Sequence, residues 1–103
     1  LRGIIGTVRA RGPEARILLV QMEAPPNFGA RYTQAFRETF ALVAADSGVT
    51  LVPFLLDGVA GIGTLNQDDG IHPNEEGTAI VAATVWRALE PVLASLDRPV
   101  PAR

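Results

Sequence analysis

Two apolar runs of strand length place the strongest constraint on how this chain can fold. Residues 17–22 and 50–56 are almost continuously apolar, which is typical of strands in a sheet that is covered on both faces. Between them, apolar side chains recur at helical spacing at Tyr32, Phe36, Phe40 and Val43. This helix is predicted to end at Ser47, because Gly48 can supply a left-handed cap. A strand, a crossover helix and a second strand form a parallel, right-handed unit.

Helices are predicted on both sides of this unit. Gly12 and Pro13 end a first helix over residues 1–11, which is indicated by Leu1, Ile4, Ile5 and Val8. A last helix is predicted after Asn74, whose side chain can cap it. Its apolar stripe is Val81, Val85, Leu89, Val92 and Leu96. We expect Pro91 to kink this helix or to start a new turn. The predicted fold class is therefore α/β, in the order α-β-α-β-α with two parallel strands.

The domain organisation is predicted to be simple. A chain of 103 residues allows one domain, which we place at residues 1–96, followed by a frayed tail at 97–103. Two strands alone would leave both outer edges of the sheet unpaired, so we expect a homo-oligomer that completes it. The chain opens on Leu1, inside a predicted helix and without a methionine, which suggests a truncated or processed start.

Composition and hydropathy argue against several kinds of partner and of site. The net charge is -2, and the nine basic residues are scattered arginines, which argues against a nucleic-acid partner. No cysteine is present, so a thiolate nucleophile and a cysteine-based metal site are excluded. No apolar run approaches the roughly 20 residues of a membrane span, and residues 1–12 have no cleavable signal pattern. We therefore predict no membrane span, and the sequence assigns no compartment.

The chemistry-bearing residues fall in two loops that follow the predicted strands. In an open parallel sheet, ligands bind outside the carboxyl ends of the strands. Both strands exit on the same edge, so the loop at residues 23–29 and the long loop at residues 57–72 are predicted to form one rim. The only histidine of the chain, His72, lies in that rim.

Asp69 and His72 are spaced as an acid–base pair. A carboxylate three residues before an imidazole can accept from one ring nitrogen and leave the other free to take a proton. From spacing alone, a surface histidine beside an acidic loop is an equal alternative. Carboxylates with one imidazole could also hold a divalent ion, although a solvated acidic loop and helix cap is the favoured interpretation, and no metal or other cofactor is predicted. The acidic residues concerned are Asp57, Asp68, Asp69, Glu75 and Glu76.

The sequence around this pair, LNQDDGIHPNEEG at residues 65–77, resembles the last sequence block of SGNH hydrolases, also called GDSL-type hydrolases. Upstream segments look like the branch of bacterial arylesterases and multifunctional acyl-CoA thioesterase/lysophospholipases: residues 17–22, 25–29, 31–33, 51–54 and 58–60. The resemblance covers about residues 4–96. It implies a partial flavodoxin-like three-layer sandwich and a small-molecule ester as substrate. By the same resemblance, His72 would be the general base and Asp69 the carboxylate that orients it.

The family's amino-terminal blocks, which carry the serine nucleophile and the oxyanion hole, have no counterpart in this chain. The only serines are Ser47 and Ser95. Ser47, in Ala-Asp-Ser-Gly, has a faint likeness to the missing block, and Thr64 shares the loop of Asp69 and His72. We retain both as low-ranked candidate nucleophiles, beside a water molecule activated by the pair. The family is often exported to the periplasm.

Two further residues are candidates for substrate contact. Phe28 stands apart from Phe36 and Phe40, which we assign to the core because aromatic stripes on helices are more often core than binding walls. Asn27 follows two prolines that fix its loop, although a loop asparagine usually caps its own turn. Trp86 is predicted to lie in the core or in an assembly interface.

Two hypotheses follow. The first is a carboxylic ester hydrolase that uses Asp69 and His72, with water or a residue from another chain in place of the missing serine. The second is a catalytically inactive remnant of the family that acts as an oligomeric binding or assembly module.

Overall fold

A computed structural model describes residues 1–96, and it shows the α-β-α-β-α order that the sequence predicts. The helices are α1 (Arg2–Arg11), α2 (Ala30–Ser47) and α3 (Glu75–Leu96), and the strands are β1 (Leu18–Val20) and β2 (Thr50–Val52). Short 3-10 turns lie at Pro26–Phe28 and Gly63–Leu65. The chain divides into two compact units, Leu1–Leu55 and the part that begins at Leu56. The single domain over residues 1–96 stays a prediction, and the predicted tail at 97–103 lies outside the described residues.

The sheet of the first unit consists of β1 and β2, which are parallel as predicted. Leu18 pairs with Thr50 and Val20 with Val52, and the Gln21 N–H donates to the Val52 carbonyl at 2.9 Å. Both strands are shorter than the apolar runs that predicted them. β2 stops before Pro53, which has no N–H to donate to a ladder. Both strands leave the sheet at the same edge, and within residues 1–96 each has one unpaired edge.

The helix α2 ends as its sequence predicts. Gly48 has φ 65° and ψ 33°, and its N–H donates to the carbonyls of the last turn, which is the left-handed cap that glycine adopts without strain. Phe40 and Val43 are buried, whereas Phe36 is only half-buried. The predicted core role is therefore complete for Phe40 and partial for Phe36. The rings of Phe28, Tyr32, Phe36 and Phe40 follow one another with centroids 5.3, 6.3 and 5.4 Å apart.

The second unit is built from the long loop and α3. Val59 is fully buried, and the helix begins at Glu75 with Asn74 as its cap, since Asn74 Oδ1 accepts the Gly77 N–H at 3.0 Å. Glu75 and Glu76 lie in the first turn, where the helix dipole favours negative charge. The helix runs through Pro91 in one piece, so Pro91 does not begin a separate helix.

Helix α3 is also long and apolar enough, by length and composition alone, to cross a membrane. Its sequence is not an uninterrupted apolar run, because Arg87 and Glu90 lie inside it. Little of its apolar window is buried within the described residues, and Trp86 is 50% exposed. One such helix is weak evidence for a span, because core helices of soluble proteins have the same composition. The absence of a membrane span stays a prediction.

Candidate active site

The predicted acid–base pair lies on a tight hairpin-like turn of the second unit. Asn66 and Pro73 form an antiparallel bridge, and the Gln67 N–H donates to the His72 carbonyl at 2.7 Å. The turn is closed by the Gly70 N–H, which donates to the Gln67 carbonyl at 2.9 Å. Gly70 has φ +74°, a conformation that is costly for residues with a Cβ atom. The backbone therefore brings Asp69 and His72 to the same turn.

The Asp69 carboxylate is held by three hydrogen bonds from the two residues that follow Gly70. Its Oδ1 accepts the N–H groups of Ile71 and His72, both at 3.0 Å. Its Oδ2 lies 2.5 Å from His72 Nδ1. One oxygen thus fixes the turn and the other fixes the imidazole ring, so that the orientation of His72 depends on Asp69.

These hydrogen bonds keep Asp69 ionised. The side-chain hydrogen bond from His72 lowers the pKa of Asp69 to about 2, with further lowering by the backbone N–H groups of His72 and Ile71. An ionised carboxylate accepts but cannot donate, so the proton of a neutral imidazole lies on Nδ1. Among residues 1–96, the His72 ring has no other hydrogen-bond partner, and its side chain is 66% exposed. Nε2 is therefore free to take a proton.

The low pKa of Asp69 predicts a specific acid response. Because the pKa is about 2 in the folded chain against an ordinary 3.8, the ionised carboxylate favours folding above about pH 4, and this contribution is lost as the pH falls toward 2. We expect Asp69→Asn to remove this part of the acid destabilisation. The effect should be small, since the pair is exposed to solvent.

Urea midpoints between about pH 5 and pH 2 measure this response. Asp68→Asn is the matched control, because Asp68 is exposed and makes no hydrogen bond within residues 1–96. Equal acid responses of the parent chain and Asp69→Asn would contradict the assignment.

Two asparagine side chains stabilise the base of this turn. The Asn66 side chain donates to the carbonyls of Val59 and Ile62, each at 2.8 Å. The Asn74 side chain donates to the Thr64 carbonyl at 2.9 Å and to the Asn66 carbonyl at 3.4 Å. Sequence reasoning found Asn74 only as a helix cap and missed Asn66. Both are amides beside a glycine-rich loop, a combination that indicates loop bracing.

The other predicted site residues occupy defined places. Asn27 and Phe28 are exposed in the 3-10 turn Pro26–Phe28 of the first unit. Ser47 is the last residue of α2, and its carbonyl accepts a hydrogen bond from Arg9. Thr64 lies in the second unit, where its carbonyl binds Asn74. The structure brings Asp69 and His72 together by side-chain contact. The catalytic roles of Asp69 and His72, the roles of the remaining four residues and the shared rim of the two loops all stay predictions.

The acidic residues near the pair are not gathered as metal ligands. Within residues 1–96, no group of three or more histidine, aspartate or glutamate side chains is placed to hold a metal ion. The observed geometry contains one carboxylate in contact with one imidazole, which suits proton transfer.

The chain matches the GDSL-like lipase/acylhydrolase family over residues 1–80. It belongs to that family. It is 41% identical, over 85 residues, to an esterase of Pseudomonas aeruginosa named TesA. The aligned region covers 82% of this chain and 42% of that protein. The crystal structure of a TesA matches 88% of this chain with a TM-score of 0.77 and 38% identity. AlinE4, an esterase described as a member of the SGNH-hydrolase family, matches 95% with a TM-score of 0.59 and 32% identity.

These matches confirm the resemblance and the SGNH-type α/β fold that it implied. The chain spans about half the length of the proteins it matches, 42% of the Pseudomonas esterase and 49% of each of the two crystal structures. The activity of a complete family member is therefore a proposal for this chain.

Proposed function

We propose that this chain is a carboxylic ester hydrolase in which Asp69 and His72 provide general-base catalysis. The observation that carries the proposal is the 2.5 Å contact between Asp69 Oδ2 and His72 Nδ1. It fixes the imidazole and leaves Nε2 free in a chain of an acylhydrolase family.

The proposed reaction moves one proton through Nε2 of His72. As a hydroxyl or water oxygen attacks the ester carbonyl carbon, Nε2 takes its proton and the carbonyl electrons move to oxygen. When the tetrahedral intermediate breaks down, the bond to the leaving oxygen breaks and that oxygen receives the proton. With water as nucleophile, the products are the carboxylic acid and the alcohol.

Asp69 is proposed to act on His72 and not on the substrate. Its ionised carboxylate holds the proton on Nδ1, and it stabilises the imidazolium that forms when Nε2 is protonated. General-base assistance of this kind typically accelerates a reaction by about 10²–10⁴-fold, which is enough for activated aryl esters.

The nucleophile is proposed to be water or a residue of another chain. Support comes from the contacts of the hydroxyl candidates. The Thr64 carbonyl accepts a hydrogen bond from the Asn74 side chain. Ser95, the other serine of the chain, lies near the far end of α3, about 30 Å along the helix at 1.5 Å per residue. Ser47 is the last residue of α2. Within residues 1–96, no hydroxyl group donates a hydrogen bond to His72.

Substrate contact is proposed at Asn27 and Phe28. Phe28 is 59% exposed, and its ring packs against that of Tyr32 at an interplanar angle of 46°, with the centroids 5.3 Å apart. The contact supports the ring, and its exposed surface is available to an apolar group. Pro25 and Pro26 limit the conformations of the turn, which lowers the entropy cost of binding there.

A homo-oligomer is proposed as the form that completes the sheet. Large apolar side chains are exposed on α1 and α2, with Ile4 at 68% and Leu42 at 61%. Within the described residues, β1 and β2 each have an unpaired edge. The same observations favour the second candidate function, an inactive module whose role is assembly. Catalysis distinguishes the two.

The test of the proposal is hydrolysis of p-nitrophenyl acetate and butyrate by the purified chain, measured against free imidazole at equal concentration. Light scattering on the same sample records the oligomeric state. We expect turnover above imidazole that survives a chelator, because the pair needs no metal. Turnover equal to imidazole would reject the hydrolase in favour of the assembly module, and loss of activity with the chelator would reject the metal-free mechanism.

A further inference from the structure

Gly77, in the first turn of α3, occupies a place where no side chain fits. A Cβ atom there would lie 2.1 Å from the Leu65 carbonyl oxygen, 3.2 Å from the Leu65 carbonyl carbon and 3.1 Å from Pro73 Cβ. The neighbours are backbone atoms and a proline ring, which cannot swing aside as a flexible side chain can. None of the other nine glycines would place a Cβ within 3.4 Å of a neighbour.

The two residues that Gly77 approaches are the ends of the turn that carries the acid–base pair. Leu65 precedes Asn66, and Pro73 follows His72. Asn66 and Pro73 are themselves bridged. The Leu65 carbonyl is further fixed by the Asn74 N–H at 3.0 Å. The first turn of α3 therefore packs directly on the base of the hairpin.

Asn74 joins the same three parts. Its Oδ1 accepts the Gly77 N–H at 3.0 Å, while its Nδ2 donates to the Thr64 carbonyl at 2.9 Å and more weakly to the Asn66 carbonyl. These contacts need the helix to lie against the loop, and that approach is possible only without a side chain at position 77.

We propose that Gly77 is a positioning residue for the Asp69–His72 pair. By admitting the Leu65 carbonyl against α3, it holds both ends of the hairpin in the register that sets the 2.5 Å contact between Asp69 Oδ2 and His72 Nδ1. The effect of Gly77 on catalysis rests on the proposed function. Its effect on the orientation of the His72 ring can be tested without measuring turnover.

Gly77→Ala is the direct test, with Gly3→Ala as its matched control. Gly3 lies within α1, and a Cβ there meets nothing within 4 Å. Alanine favours the helix over glycine at both positions, so any loss specific to Gly77→Ala comes from the contact with Leu65 and Pro73. The readout is the ring ¹⁵N spectrum of His72 at alkaline pH, which is unambiguous because His72 is the only histidine.

We expect the parent chain and Gly3→Ala to give the spectrum of an Nδ1-protonated ring. Gly77→Ala, folded by circular dichroism, should give a mixture of the two tautomers and hydrolyse p-nitrophenyl acetate about 100-fold more slowly, since small misplacements cost that much. A folded Gly77→Ala with the parent's ring spectrum would overturn the proposal. If the parent shows no turnover at all, the proposed function fails, while the ring spectra still decide on positioning.

Asn74→Asp covers the case in which Gly77→Ala does not fold. An aspartate keeps the oxygen that caps α3 and the backbone N–H that binds the Leu65 carbonyl, but it loses the side-chain donation to Thr64 and Asn66. The helix therefore persists while the side-chain bonds that hold it against the loop are removed. We expect the same tautomer mixture, and an unchanged ring spectrum in this variant would also overturn the proposal.

Discussion

Replacing His72 with alanine is expected to reduce hydrolysis of p-nitrophenyl acetate to the rate in buffer, a loss of about 10²–10⁴-fold. The variant removes the only imidazole of the chain, and with it the free Nε2 that we propose as proton acceptor. Folding near neutral pH should be almost unchanged, because the side chain is exposed and, within residues 1–96, the ring hydrogen-bonds to Asp69 alone. The measurement is the steady-state rate, with an unfolding curve on the same preparation.

Ile71→Ala is the control for this variant. Ile71 is the adjacent residue in the turn and is 67% exposed, and its contribution to the pair is its backbone N–H, which alanine keeps. Activity near that of the parent is expected. Retention of more than about a tenth of the parent's rate in His72→Ala would show that another group carries the reaction.

Replacing Asp69 with asparagine is expected to lower the rate nearly as much as the loss of His72. The amide still has an oxygen for the N–H groups of Ile71 and His72, but its NH₂ group then faces Nδ1 in place of Oδ2. Because an NH₂ group donates, it favours the tautomer in which Nδ1 accepts and Nε2 carries the proton. A protonated Nε2 cannot act as the base. The ring ¹⁵N spectrum should show this reversal together with the loss of rate.

The double variant sharpens this prediction. The double variant combines Asp69→Asn with His72→Ala. If Asp69 acts only through His72, the double variant should hydrolyse the ester as fast as His72→Ala alone. Asp68→Asn changes the neighbouring carboxylate to an amide without a hydrogen bond to lose in the described part of the chain, and it should keep the parent's rate. A further loss in the double variant would give Asp69 a role independent of the imidazole.

Local features of the fold could be predicted from sequence, because their causes are local. The left-handed cap at Gly48 and the cap of α3 by Asn74 each depend on residues within one or two turns. The strands were predicted too long, since an apolar run measures burial, whereas a strand ends where its partner ends. On β2 a second cause acts, because Pro53 has no N–H to donate and the strand stops before it.

The contact between Asp69 and His72 was predictable for the same reason, since the two residues are three positions apart. The support around it was not. Gly77 is needed because α3 approaches Leu65 closely. The spacing of residues in a sequence does not show how closely a helix will approach a loop. Asn66 was missed because its partners, the Val59 and Ile62 carbonyls, are backbone groups that every sequence has.

The hydrogen bonds that hold the turn of Asp69 and His72 all join residues that are close in sequence. The largest separation is ten residues, between Asn74 and Thr64. Closing loops of this size costs little chain entropy, and contacts so near in sequence form early and quickly during folding. The turn that carries Asp69 and His72 can therefore form without waiting for the strands to pair. A break in the gene upstream of Leu56 would leave all of these hydrogen-bonding partners on the same piece of chain.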